Sequence, residues 1–579
     1  MPARNAKPII TFAGGLGLSQ PGGVIADLQN PVIEIPYLFK ANNVLFQDGN
    51  SLRKIGGALI ASTLTSPTQN FGKILALLPA SGGGGAVDIW TVVGGADGDV
   101  KGIIGWYLDS RGFIADQYVQ LDGDVSRNAA ADNYSVWTSV EFEGYTIIMS
   151  DDPNIRPSLI QFTPSTSIYS ISVLDTAEPE FHIAAVYKNR LWTAGNPTNP
   201  SRLYYSDLFD PTAGYSTNFV DIDPFDGSEI TAIHVYKETL FVFKGPNKGS
   251  IHRLSGATPS TFALSPISTS IGCAGPNAIA DFADDVMFLD TDANLRTLST
   301  TQNFGDFETA VLTDPIRELI DAAVYKSELK YTTISADTEN SRVWVQLPTG
   351  ETILDRLSVV VDYKQGIKLT TVDYIKTAYV VPSRSTVSAL GRSRLMAVTP
   401  DYLYTMDEVG KERIETFVSG SVTIQSEAYN AQIETPSIKF TPAFGHNNIS
   451  KVSASVQHIA KQTDTPVGAC SPFDPNVDIT FRWQRDTSEV ETTALSATAM
   501  SRLGSVCSGE TLPSDGSVFT LDASRLGGAK TMEVYAELET SDFRRITFMF
   551  EQGGLNEGLH VHSFSVVIGQ DDTGSTENL

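Results

Sequence analysis

From Phe181 to Leu298 one arrangement of apolar and polar positions keeps returning: an apolar strand, a polar turn, a second apolar strand, then a corner rich in Gly, Pro and Asp. His182-Ile-Ala-Ala-Val-Tyr-Lys-Asn-Arg-Leu-Trp192 carries it, as do Ile230-Thr-Ala-Ile-His-Val-Tyr-Lys-Glu-Thr-Leu-Phe-Val-Phe243 and Ala278-Ile-Ala-Asp-Phe-Ala-Asp-Asp-Val-Met-Phe-Leu289. A multistranded unit recurring at roughly 45–50 residues buries its apolar faces against copies of itself, which predicts a radial array of sheets, a β-propeller.

The same texture extends on either side. Strands are predicted over 74–78, 89–93, 103–108, 136–142 and 146–149, and again over 342–347, 357–362, 377–381 and 402–406. The glycine run 82–85 reads as a loop tip. Helix is scarce. Its clearest candidate runs from Asp314 to Ala323, with Asp314 as the cap, Pro315 at the first helical position and Ile316, Leu319, Ile320 and Ala323 on one stripe packed on the outside of the ring. Beyond Glu415 period-two strands continue (422–425, 449–456, 479–483, 518–521, 533–538, 546–550, 561–567), but the recurring corner is gone, which predicts a separate β-sandwich. Its long loops, 461–478 and 501–516, read as interaction elements, and the polar residues 569–579 as a frayed end.

Ahead of the ring, Gly14, Gly15, Gly17, Pro21, Gly22 and Gly23 give residues 1–70 the character of an extended arm. Within it, Val44-Leu-Phe46 and Ser51-Leu-Arg53 flank Gln47-Asp-Gly-Asn50, a hairpin signal because Gly accepts positive φ. The expected organisation is therefore an arm over 1–70, an all-β propeller over 71–415 and a sandwich over 416–579. The spacing allows six blades, or seven if residues 25–70 donate a closing strand.

Composition narrows the function. A chain of 579 residues with 47 Gly, 29 Pro and only 19% charged residues suits a turn-rich β protein. The balance of 41 basic against 67 acidic residues, a formal charge of -26, excludes a general nucleic-acid binder with a basic face. Cys273, Cys470 and Cys507 are too few for a disulfide framework; Cys470 and Cys507 can meet, but spacing does not show it. The first residues lack the apolar core of a secretory signal, and no run of about eighteen apolar residues predicts a membrane span. A soluble product made in the cytoplasm is expected.

Several stretches carry a resemblance. Asn43-Val-Leu-Phe-Gln-Asp-Gly-Asn-Ser-Leu-Arg-Lys-Ile-Gly-Gly57 is one. Asn189-Arg-Leu-Trp-Thr-Ala-Gly195, Pro200-Ser-Arg-Leu-Tyr-Tyr-Ser-Asp-Leu-Phe-Asp-Pro211 and Asp221-Ile-Asp-Pro-Phe-Asp-Gly227 follow. Phe241-Val-Phe-Lys244, Ser250-Ile-His-Arg-Leu-Ser-Gly256, Ser268-Thr-Ser-Ile-Gly-Cys-Ala-Gly-Pro276 and Val286-Met-Phe-Leu-Asp290 complete the set. Together they resemble the tail nozzle, or packaged-DNA stabilisation, proteins of short-tailed bacteriophages, over about residues 25–300. The resemblance implies a propeller-based virion subunit, six copies of which form a ring below the portal and adaptor, above fibre, spike or needle proteins, around passing double-stranded DNA. An acidic wall would hold phosphates off and let the duplex slide.

No residue is expected to act as a catalytic, cofactor-binding or metal-ligating group, and the chain does not read as an enzyme. Asp221, Asp223, Asp226 and Glu229 invite calcium, but Gly227 falls at the seventh place of the loop and Ala232 stands where a bidentate Glu belongs. Asp290, Asp292 and Asn294 have Leu295 where glycine is required, and read as a tight turn. His560 and His562 share a strand face, with no third ligand in view. Gly14-Gly-Leu-Gly17 lacks the Lys-Ser/Thr of a phosphate loop. In Ser201-Arg-Leu-Tyr-Tyr-Ser206, alternation sets Arg202 and Tyr204 against Leu203 and Tyr205, as a half-buried strand requires. The competing expectation is a receptor-binding or glycan-degrading tail protein whose sandwich meets sugar at exposed aromatics, with Trp483, Tyr535 and Phe543 as candidates.

Overall fold

A computed structural model describes residues 8–570 apart from 19–22, 28, 48–49, 64, 67–68, 71–72, 80–88, 95–99, 110–111, 121–134, 154, 164–167, 176–177, 305–310, 351–355, 376–378, 383–394, 400–401, 409–412, 418–423, 442–446, 460–475, 487, 499–530 and 555–557. It is mostly strand and divides into two compact units. One is Ile60–Lys364 with Lys376–Thr405; the other is Met1–Leu59 with Gln365–Ile375 and Met406–Leu579.

The first unit is a ring of antiparallel meanders. Four consecutive four-stranded sheets begin at Lys73–Pro79, Trp137–Phe142, Ile183–Tyr187 and Glu229–Tyr236. A three-stranded sheet follows from Ile279–Phe282, then strands Thr333–Asp337, Arg342–Pro348 and Arg356–Asp362, then Tyr379–Pro382, Leu395–Val398 and Tyr402–Glu408. Each first strand touches the first strand of the next sheet, and Tyr379–Pro382 touches Lys73–Pro79, so seven blades close a circle. Outside Tyr402–Glu408 lies Gly57–Thr63, drawn from the start of the chain, so the seventh blade combines both ends of the ring. A closed ring of this kind leaves only short blade edges open.

The repeated pattern falls on the inner hairpins of blades three, four and five. Tyr187 pairs with Arg190 and Tyr236 with Thr239 across two-residue turns. Lys188, Asn189, Lys237 and Glu238 all have positive φ there, the primed geometry that matches strand twist. Between blades three and four, Trp192, Leu203, Tyr205, Ile233, Leu240 and Leu254 are buried together. Between blades two and three, Met149, Leu159, Phe181, Leu191, Tyr204 and Tyr215 form the next layer. Strand Arg202–Tyr205 therefore departs from the half-buried expectation: Leu203 and Tyr205 face one neighbour, Tyr204 the other, and both faces are covered.

The expected helix is present in altered form. Asp314–Ile316 is a 3-10 turn and Arg317–Ala323 the α-helix, and Thr313 occupies the cap position in place of Asp314, without a side-chain cap bond. Ile316 and Ile320 are buried, whereas Leu319 and Ala323 are half-buried.

The second unit is a two-layer sandwich. One sheet runs Val32–Ile35, Ile9–Phe12, Gly558–Gln570, Asn447–Ile459, Thr531–Phe543, with the hairpin of Val44–Gln47 and Ser51–Lys54 joined to Gly558–Gln570. The other includes Val24–Asp27, Ile438–Thr441, Ile546–Gln552, Ala431–Glu434, Lys40–Asn42 and Asn476–Arg485. Phe548 and Phe550 meet Phe564 across the layers at 5.3 and 5.2 Å.

Strands from Ile9–Phe12 to Ser51–Lys54 belong to the sandwich and Gly57–Thr63 to the seventh blade, in place of the extended arm expected over 1–70. The compact units change over at Leu59/Ile60 and Thr405/Met406, and Gln365–Ile375 leaves the propeller stretch for the sandwich, against expected boundaries at 70/71 and 415/416. The Asp-Gly hairpin forms, with Gln47 opposite Ser51, and Asn50 supplies a positive φ at its end. Of the loops 461–478 and 501–516, residues 461–475 and 501–516 lie outside the described residues, as do 82–85, strand 518–521, Cys470, Cys507 and 571–579.

Candidate functional site

The inner strands of the propeller surround a cavity of about 260 Å³. Its wall alternates aliphatic and polar groups: Ile183, Ile233 and Ile334 beside Thr138, Asn277 and Ser335. Strand pleat explains the mixture, because neighbouring residues of an innermost strand point alternately to a blade interface and towards the axis. Polar groups of the wall also join blades. Thr138 Oγ1 donates to the His182 carbonyl at 2.6 Å, and Asn277 Nδ2 to the Trp137 carbonyl at 2.9 Å. His234 Nε2 lies 2.9 Å from Asp281 Oδ1, joining blades four and five. The His234 bond is the leading reason the Asp281 carboxyl titrates below its ordinary range. About 260 Å³ is slightly below the ~300–1,000 Å³ of small-molecule sites.

Charged groups gather where the inner strands begin. Lys330 Nζ lies 3.3 Å from Asp151 Oδ2. Burial disfavours the charged forms of His182 and Glu229, lowering the first and raising the second. Asp151 and Lys330 act on both through space.

The acidic corner resolves into separate pairings. Asp221 receives Arg202 Nε at 2.6 Å, Asp226 receives Lys244 Nζ at 2.8 Å, and Asp223 Oδ2 stands 3.6 Å from His252 Nε2. Glu229 is placed near Lys330 instead. Lys244 is fully buried and also donates to the Ile222 and Asp223 carbonyls, so one ammonium ties residues 222, 223 and 226 together. The second acidic stretch is a turn: Asp290 Oδ1 accepts from the Asp292 and Asn294 amides, and Asp290 Oδ2 from Arg296 Nε at 2.6 Å. Cys273 is buried, and burial pushes its thiol up to about 12, which makes it inert as a nucleophile.

In the sandwich, the stretch Asn43–Gly57 holds a buried polar knot that its sequence does not reveal. Asn43 Nδ2 donates to Asp373 Oδ1 and to the Asn430 carbonyl, both at 2.7 Å, while its Oδ1 accepts from the Asp373 and Tyr374 amides. Arg53 Nη2 reaches both Asp407 oxygens, at 2.8 and 2.7 Å, and the Gly56 amide donates to the same carboxylate. Lys54, also fully buried, donates to Gln552 Oε1 at 2.7 Å beneath the Tyr429 ring. Each bond joins chain segments more than 300 residues apart, which is why no local pattern announces them.

Gly14 and Gly15 serve close backbone approach: a Cβ at Gly14 would sit 1.6 Å from the Pro36 carbonyl oxygen, and one at Gly15 2.3 Å from the Leu369 nitrogen. His560 and His562 stack at 4.2 Å between ring centroids, and His560 Nε2 meets Ser51 Oγ at 2.6 Å. Two of the three expected sugar-binding aromatics are corrected. Trp483 is 6% exposed and Phe543 0%, because their strands are covered within the sandwich; the Tyr535 side chain lies outside the described residues. Among the described residues no group of His, Cys, Asp and Glu could hold a metal ion, and no helix is long and apolar enough to cross a membrane.

No family model matches the chain, and no curated protein does. Among solved structures it is similar to YCF48 bound to D1 peptide, a β-propeller protein, at 11% identity, covering 65% of this chain and 99% of that one, with a TM-score of 0.35.

Proposed function

We propose that this protein is a structural subunit of a short-tailed phage tail, a nozzle component without enzymatic activity, six copies of which extend the DNA conduit below the portal and adaptor. The observation that carries the reading is the Asn43–Gly57 stretch. The residues that resemble the nozzle family are also those that lock the sandwich, through Asn43, Arg53 and Lys54. Rigidity of that kind suits a building block. The conduit in this reading is enclosed by the ring of subunits. With a formal charge of -26, its wall repels phosphate and lets duplex DNA slide without sequence contacts. Fibre, spike or needle proteins would close the lower end, and the subunit would be made in the host cytoplasm before joining the virion.

Electron microscopy of particles carrying a tagged copy of this chain tests the reading. Label in a ring on the portal axis is expected. Label on peripheral fibres would replace it with the receptor-binding or glycan-degrading alternative. Tight binding of purified assembly to duplex DNA, weakening steeply with salt, would contradict the repulsive wall.

A further inference from the structure

The last strand of the sandwich, Gly558–Gln570, holds the hairpin of Val44–Gln47 and Ser51–Lys54 by a short pairing, His560 opposite Arg53 and Val561 opposite Leu52. Basic groups crowd this seam. His560 stacks on His562 and meets Ser51 Oγ, with the Arg53 guanidinium near enough to disfavour a charge on it. Arg53 is itself held by Asp407, while Lys54, the next residue along the strand, reaches Gln552 and lies over the Tyr429 ring. Across the sheet the position opposite His560 is Gln457, an uncharged residue.

We propose that this seam is an acid-operated latch, closed while both imidazoles are neutral and released when they gain protons, so that the hairpin parts from the last strand before the propeller opens. The geometry supplies the repulsion: imidazolium rings 4.2 Å apart repel one another, and Arg53, though paired with Asp407, adds to the cost of charging His560. Burial, then His562 and Arg53, lower the His560 proton affinity to about 4. The sign follows. A histidine whose folded value lies below its unfolded one adds stability fully present above the unfolded value, near 6.5, and lost as pH falls towards about 4.

Hydrogen exchange of the full chain, corrected for intrinsic rates, tests the latch from pH 7 to pH 4. Residues 44–54 are expected to lose protection over that range while Ile183–Tyr187 and Arg190–Ala194 keep theirs. In His560→Gln the acid loss should disappear. In His562→Phe, which removes the neighbouring charge and keeps a ring, the repulsion weakens, so the acid loss should shrink and its midpoint move to lower pH; this variant decides the matter should His560→Gln not fold. Simultaneous loss in hairpin and blades, or an unchanged midpoint in His562→Phe, would overturn the latch.

Discussion

The two units solve the same problem with different materials. In the propeller, every blade but the seventh is built from strands within a few dozen residues of one another, and blades adhere through apolar layers such as that of Trp192, Leu203, Tyr205 and Leu240. In the sandwich, three separated segments must find one another, and buried polar side chains tie them: Asn43 to Asp373, Arg53 to Asp407, Lys54 to Gln552. Apolar layers tolerate approximate matches, whereas a buried polar group left without its partner costs free energy outright. The sandwich is accordingly the more exacting half, although its layers also share an aromatic core.

Substitutions can break the contrast, beginning with the apolar side. Trp192 is fully buried between blades, so Trp192→Ala should cost about 3–5 kcal/mol, read as a lower urea midpoint for blade tryptophan signals. Asn43→Ala removes four side-chain bonds at a residue with φ 55°, and should cost about 2–3 kcal/mol. Its loss should appear in exchange of 40–54 and leave blade strands protected; equal loss in both units would show that the knot stabilises more than the sandwich. Asn189→Gly should stabilise by about 0.4–1 kcal/mol, since Asn189 already has φ 56° in a primed turn. The smallest effect is expected from Lys188→Ala, whose exposed partner Glu238 lies 3.5 Å away: about 0–1 kcal/mol, best seen at low salt.

What the sequence disclosed follows the same division. The hairpins at Lys188-Asn189 and Lys237-Glu238 were legible because period-two apolar runs flank each turn and the run returns. Gly57–Thr63 could be suspected as a closing strand only from the blade count. The sandwich boundaries were hidden because their determinants are single residues: nothing near Asn43 marks Asp373 or Asn430, 330 and 387 positions away. Trp483 and Phe543 illustrate a related limit. Alternation reports two faces of a strand but not whether a second layer covers the outer one, and here it does. The cation that anchors Asp226 in the acidic corner, Lys244, sits inside an apolar strand where it looks like an interruption.

Strand order in the sandwich has a consequence for synthesis. Ile9–Phe12 emerges from the ribosome long before its antiparallel partner, Gly558–Gln570. Through that interval Ile9–Phe12 keeps one edge open, its other edge being matched by Val32–Ile35, while the blades between can close one after another. A ribosome stalled before residue 558 should therefore display a finished propeller beside a small sheet with one edge open, an intermediate that a host chaperone would be expected to cover.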